Sequence, residues 1–260
     1  MSEDATVNGD ATAPADGEWE AVFWDIGGVI LALDSVQAAH ADFIADVLER
    51  REVDATVEEA IDTWRSTVGD YFRERDGTEF RSARDGYHRG VEAIVGEEIP
   101  RADWQPRFDE VVRASIEPIP GAVETIERLA ERDLHVGVIS DVDDAEGREM
   151  LERFGVREHF DSITTSEEVG RTKPDPAMFE TALEKAGVDP ERSLMIGDRY
   201  DHDVKGAADM GMHGVAFGAD DGPAVSYRIE TPTDVLGIVD GNGSHPSGTR
   251  AQSGEDTRDE

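Results

Sequence analysis

The chain has no cysteine, and only three of its 260 residues are lysine: Lys173, Lys185 and Lys205. The first absence excludes disulfides, thiol nucleophiles and cysteine-ligated zinc. The second belongs to a general shortage of positive charge: 25 Lys and Arg stand against 60 Asp and Glu, a formal charge of −35. Phosphate-backbone binding needs a basic patch, and none stands out in the sequence, so neither nucleic acid nor an anionic membrane surface is expected as a partner. No apolar run approaches membrane-spanning length. The opening Met1-Ser2-Glu3-Asp4 lacks the apolar stretch of a signal peptide, so a cytoplasmic protein is expected.

What is present is enough for a packed core, with 38% hydrophobic residues in a length that suits one sizeable domain plus an insert. The acids run through the helical stretches as well as the ends. A surface so acidic and lysine-poor resembles proteins of salt-loving archaea, where molar salt screens self-repulsion. Residues 1–18 and 241–260 are small, polar and charged and are expected to be disordered.

Between the ends, strand candidates at 21–25, 135–140, 162–164, 193–197, 214–217 and a short 226–229 alternate with helical patterns at 121–132, 144–154, 176–186 and 203–210. That alternation predicts an α/β fold, a Rossmann-like parallel sheet covered on both faces. The interval 34–117 holds no strand pattern but four helical ones, at 35–51, 56–75, 79–95 and 103–115. It reads as an all-helical insert that leaves a core of 19–33 and 118–240.

Four sites stand out. Asp25 ends the apolar run Ala21-Val22-Phe23-Trp24 and passes into Ile26-Gly27-Gly28. Ser140-Asp141 ends Val136-Gly137-Val138-Ile139. Lys173 lies in Arg171-Thr172-Lys173-Pro174-Asp175, just before a helix start. Asp198 ends Leu194-Met195-Ile196-Gly197 and precedes Arg199, with Asp203 opening the next helix. Singly, each has a bland alternative: turn residue, helix cap or solvated loop charge. Together they converge, because three of them terminate apolar strands and so share one edge of the sheet. Such a set suits phosphoryl transfer. Asp25 would be the nucleophile, Ser140 and Lys173 would hold phosphoryl oxygens, and Asp25, Asp198 and a backbone carbonyl would ligate Mg²⁺.

In this order the residues resemble the haloacid dehalogenase superfamily, over about 21–240. The resemblance implies Asp25 as the motif I nucleophile, Ser140 as the motif II hydroxyl and Lys173 as the motif III lysine. Gly197-Asp198 to Asp203 matches the fourth motif, so the metal set becomes Asp25, the Gly27 carbonyl, Asp198 and Asp203, and 34–117 becomes a helical cap. Asp141 and Arg199 join Ser140 and Lys173 as candidates for substrate contact. In the cap, Trp64, Arg65, Tyr71 and Arg73 are further candidates, with Arg81, Arg84, Tyr87 and His88.

One departure matters. Family phosphatases usually carry a second Asp two residues after the nucleophile as general acid and base, and here that position is Gly27. The missing proton transfer is met by substrates with good leaving groups, such as sugar 1-phosphates or acyl phosphates, by another group such as Asp201, His202 or a cap residue, or not at all. The expected function is therefore a Mg²⁺-dependent phosphatase of a small phosphorylated metabolite, acting as a monomer or homodimer. The alternatives are a non-catalytic phosphometabolite-binding protein and a 2-haloacid dehalogenase-like hydrolase.

Overall fold

A computed structural model describes residues 18–241, and the expectations for the two ends lie almost wholly outside that range. Six strands form one sheet: β1 (Ala21–Trp24), β2 (His135–Ser140), β3 (Ser162–Thr165), β4 (Ser193–Gly197), β5 (His213–Phe217) and β6 (Val225–Ile229). Their spatial order is β3-β2-β1-β4-β5-β6, and every pairing is parallel. The fold class is the expected one. From β1 the chain builds outward through β2 and β3, then crosses back to β4 and builds the other way. The crevice at such a reversal, beyond the carboxyl ends of the strands, is where open α/β sheets bind ligands.

Period-two alternation explains why β1 reads as an unbroken apolar run. Val22 and Trp24 join one core with Val136, Val138, Leu194 and Ile196. Ala21 and Phe23 face the other way, into a core with Ile139, Phe179 and Met195. A parallel strand buried on both faces has no polar face to show.

Between β1 and the rest of the sheet come α1 (Leu33–Arg51), α2 (Val57–Arg73), α3 (Ala83–Val95) and α4 (Gln105–Ser115). They enclose an apolar cluster of their own, including Phe43, Trp64, Val91, Ile94, Trp104 and Phe108. The start of α2 is fixed by a reciprocal capping box: Thr56 Oγ1 accepts from Glu59 N–H at 3.2 Å, and Glu59 Oε2 accepts from Thr56 N–H at 2.9 Å. After these come α5 (Ala122–Ala130), α6 (Asp144–Arg153), α7 (Ser166–Val169), α8 (Pro176–Ala186), α9 (Lys205–Asp209) and α10 (Asp234–Val239).

Two elements differ from expectation for a visible reason. Helix α3 begins at Ala83 rather than 79 because the backbone of 78–80 is committed elsewhere: Phe80 N–H donates to Gly170 O at 3.1 Å, and Thr78 O accepts from Thr172 N–H at 2.7 Å. The helix expected over 203–210 is instead a π turn, Tyr200–Val204, followed by α9. There Asp203 folds back on Arg199, donating its N–H to Arg199 O and accepting from Arg199 N–H at its Oδ2, both at 2.9 Å. Helices α7 and α10, of four and six residues, were too short to show a period. Among the described residues, no helix is long and apolar enough to cross a membrane.

Candidate active site

Asp25 is the first residue past β1, held in line with the sheet by donating its N–H to Ile196 O at 3.0 Å. Its buried carboxylate looks back over the sheet edge. Oδ1 accepts from Ser140 Oγ at 2.7 Å and from the Ile26 N–H at 2.8 Å, and stands 3.0 Å from Lys173 Nζ. The sequence-predicted nucleophile, hydroxyl and lysine therefore meet around one oxygen atom, although they span 148 positions of the chain.

Lys173 is fully buried. Its ammonium has three oxygen partners: Asp203 Oδ1 at 2.7 Å, the Ile139 carbonyl at 2.9 Å, and Asp25. Burial opposes the charge, but Asp203, Asp25 and Asp141 outweigh it and push the Lys173 pKa up. Asp25 is the counterpart. Burial raises its pKa, Lys173 pulls it down and Asp203 raises it again, leaving it at about 6. Asp198 is also raised, by partial burial and by the neighbouring charge of Asp203.

Asp141 has both carboxylate oxygens engaged: Oδ1 accepts from the Lys173 backbone N–H at 2.8 Å, and Oδ2 from Arg199 Nη2 at 2.9 Å. Burial works against its charge, yet His202, Lys173 and Arg199 hold its pKa well below the usual carboxylate range. Arg199 stays 41% exposed at the side chain and reaches into the cluster, with Nη2 3.7 Å from Asp203 Oδ1 and 3.9 Å from Asp25 Oδ2.

One oxygen from each of Asp25, Asp198 and Asp203 lies within 4.8 Å of the others. Hard oxygen donors so close together suit Mg²⁺. Charge points the same way: four carboxylates (Asp25, Asp141, Asp198, Asp203) face two cations (Lys173, Arg199), an excess of two negative charges that one divalent ion would balance. Two glycines make the approach possible. A Cβ at Gly28, whose φ is +72°, would lie 2.0 Å from Asp198 Oδ2, and one at Gly197 would lie 2.1 Å from Asp203 Cβ. Gly27 is different: a Cβ there would meet only Leu33 Cδ2, at 3.7 Å.

The cap candidates are mostly occupied within the insert. Trp64 stacks on Tyr87 with ring centroids 5.3 Å apart, His88 stacks on Trp104, Arg73 pairs with Asp70, and Arg81 donates to the Tyr71 carbonyl. Arg84 pairs with Asp109 beside a small cleft between α4 and α6 that shares no residue with the carboxylate cluster. Contacts that the sequence did not announce tie the insert to the sheet edge. Asp143 accepts from Ser82 Oγ and Ala83 N–H, and Thr78 Oγ1 donates to Asp175 Oδ2 at 2.5 Å. Asp175 also caps α8, accepting from the Ala177 N–H, and nothing local in the sequence marks its partner 97 residues away.

A doubly wound sheet with a buried carboxylate, hydroxyl and lysine at its switch point defines the class: an open α/β protein whose ligand-binding crevice is lined by charge. The chain belongs to the haloacid dehalogenase-like hydrolase family, which matches residues 19–211. Among curated proteins it is 35% identical over 127 residues to the glyceraldehyde 3-phosphate phosphatase of Methanothermobacter thermautotrophicus, an alignment covering 48% of this chain and 56% of that one. The chain thus spans about half the length of this curated relative. Among solved structures, a HAD phosphatase from Thermococcus onnurineus superposes with a TM-score of 0.67 at 23% identity, covering 86% of this chain and 100% of that one. The L-2-haloacid dehalogenase of Xanthobacter autotrophicus superposes with a TM-score of 0.64 at 16% identity, covering 86% and 99%. At these identities the two structures share the fold, and the fold does not choose between their chemistries.

Proposed function

We propose that the protein is a Mg²⁺-dependent phosphatase of a small phosphorylated metabolite, working through an aspartyl-phosphate on Asp25. The observation that carries this is the carboxylate trio of Asp25, Asp198 and Asp203, whose ligand oxygens lie within 4.8 Å of one another. A displacement at a carbon–halogen bond needs no metal, so a second metal-type carboxylate beside the nucleophile would serve no purpose there and would repel the anionic substrate. With Mg²⁺ held by Asp25, Asp198, Asp203 and the Gly27 carbonyl, the same carboxylates become an asset. The metal would supply charge neutralisation on the transferring phosphoryl group. The similarity to a phosphatase of glyceraldehyde 3-phosphate favours the same class.

The chain's own residues divide the work. Asp25 Oδ2, the oxygen not engaged by Ser140 and Lys173, attacks phosphorus, and the bond from phosphorus to the leaving oxygen breaks. Ser140 and Lys173 then turn from the carboxylate to the phosphoryl oxygens as charge develops there. Arg199, partly exposed and within 4 Å of Asp25, takes the outer oxygens of the substrate. Asp141 acts through its neighbours, fixing the Lys173 backbone and the Arg199 guanidinium. Water attack on phosphorus then releases phosphate and restores the carboxylate.

Helices α1–α4 form the cap, a domain over 34–117 that closes on this edge, with 19–33 and 118–240 as the core. Gly27 offers no proton to the leaving group, which selects substrates whose leaving oxygen departs without help. The surface charge fits a working medium of high salt. Hydrolysis of an aryl phosphate in molar KCl, with Mg²⁺ and then with EDTA, tests the reading. Turnover that needs the metal and disappears in Asp25→Asn supports it. Metal-independent turnover, or binding of phosphometabolites with no turnover, contradicts it.

A further inference from the structure

We infer that the cap is a working part of the catalytic-lysine loop, with Thr78 the positioning residue through which it acts on Lys173. This rests on the proposed role of Lys173 in holding the phosphoryl group. The segment between α2 and α3 runs antiparallel to the loop 170–175 and pairs with it: Phe80 N–H donates to Gly170 O, Glu79 lies opposite Arg171, and Thr172 N–H donates to Thr78 O. Thr78 grips both sides of Lys173-Pro174. Its carbonyl accepts from the Thr172 N–H at 2.7 Å and from Thr172 Oγ1 at 3.3 Å, while its hydroxyl donates to Asp175 Oδ2 at 2.5 Å. From the same segment, Arg75 Nη1 donates to Thr172 Oγ1 at 3.2 Å.

The core holds the lysine's ammonium through Asp25, Asp203 and the Ile139 carbonyl, but it holds the loop backbone at fewer places. Asp141 takes the Lys173 N–H, and Asp175 caps α8 by accepting from Ala177 N–H at 3.1 Å. Residues 172 and 175, which bracket the lysine, are tied to the cap. The position of Nζ between Asp25 and Asp203 is therefore set from two domains at once. A displacement of about 1 Å at a reacting group costs up to about 100-fold in rate. A strap of this kind makes the lysine's alignment depend on how the cap is seated, so substrate contacts that seat the cap also set the lysine.

Thr78→Val keeps the branched shape and the carbonyl but removes the hydroxyl bond to Asp175. It is expected to lower kcat for an aryl phosphate about tenfold with KM within about twofold, and Thr78→Ser is expected to restore it. Arg75→Gln, which touches only the Thr172 side of the strap, is expected to lower kcat by a smaller factor at unchanged melting temperature. In the full-length protein, hydrogen exchange at the amides of Phe80, Thr172 and Lys173 should quicken together in Thr78→Val while the interior of α8 stays protected. A variant with a lowered melting temperature but unchanged kcat and unchanged exchange at 172–173 overturns the inference. Wild-type protein without any turnover would overturn the phosphatase reading instead, and the exchange comparison alone would then decide the strap.

Discussion

Replacing Gly27 with aspartate tests how the site manages without a general acid. The backbone accepts the change: Gly27 is not among the residues with positive φ, and a Cβ there meets only Leu33 Cδ2 at ordinary contact distance. Loss of glycine's freedom in the unfolded chain adds about 0.4–1 kcal/mol of stability, set against repulsion from the Asp25–Asp198 cluster. A positioned carboxyl that moves a proton to the leaving oxygen contributes about 10²–10⁴ in rate, or roughly 3–5 kcal/mol of barrier. That gain applies only where the leaving oxygen needs a proton. Gly27→Asp should therefore raise kcat/KM about 100-fold for an alkyl phosphate and less than about tenfold for a nitrophenyl phosphate. The assay is a Brønsted series of phosphate monoesters run on both proteins in the same salt and Mg²⁺. An equal change across the series, or no gain with the alkyl ester in a folded variant, would refute the claim that Gly27 leaves proton transfer unserved.

Other consequences are as direct. Mg²⁺ should raise the melting temperature of the parent, and Gly28→Ala, which forces a Cβ onto Asp198 at a positive φ, should lose that rise while still folding; an equal rise in both proteins would remove Asp198 from the metal set. Burial, with Asp143 adding to it and Arg84 opposing, pushes half-buried Glu146 from 4.5 to about 7. The folded state then binds more protons than the unfolded one between those values, so stability falls as pH rises through that window and stays low above it. Allowing for partial exposure, Glu146→Gln should add about 1–2 kcal/mol at pH 8 and flatten the slope in urea melts, and a parallel slope in both proteins would contradict this. Melting temperature should climb with KCl toward molar concentration, since −35 charges repel one another when unscreened; a salt-independent value would sink that expectation.

The inner strands were legible as short apolar runs, the pattern of a strand buried on both faces, and all six strands appear within a residue or two of the expected segments, although β6 exposes Arg228. The site was legible for a related reason. A carboxylate or hydroxyl at the end of such a run has to lie at the sheet edge, and Asp25, Ser140 and Asp198 do. Lys173 could be placed only by its motif, since nothing in a loop sequence says that its ammonium turns inward. Contacts formed across the fold were not legible. Thr78 looks like any loop threonine, and its pairing with 172 and 175 depends on how the helices of the insert seat on the core. The π turn at 200–204 escaped for the same reason, because the backward fold of Asp203 onto Arg199 mimics a helix start in sequence.

The central claim is covalent chemistry at Asp25, and the most direct test is to trap it. Wild-type protein turning over an aryl phosphate in Mg²⁺ and molar KCl would be quenched, reduced with borohydride and digested. Reduction converts an aspartyl-phosphate to homoserine, so the account predicts homoserine at position 25, dependent on substrate and on Mg²⁺. Turnover with Asp25 recovered unmodified, and undiminished in Asp25→Asn, would contradict it.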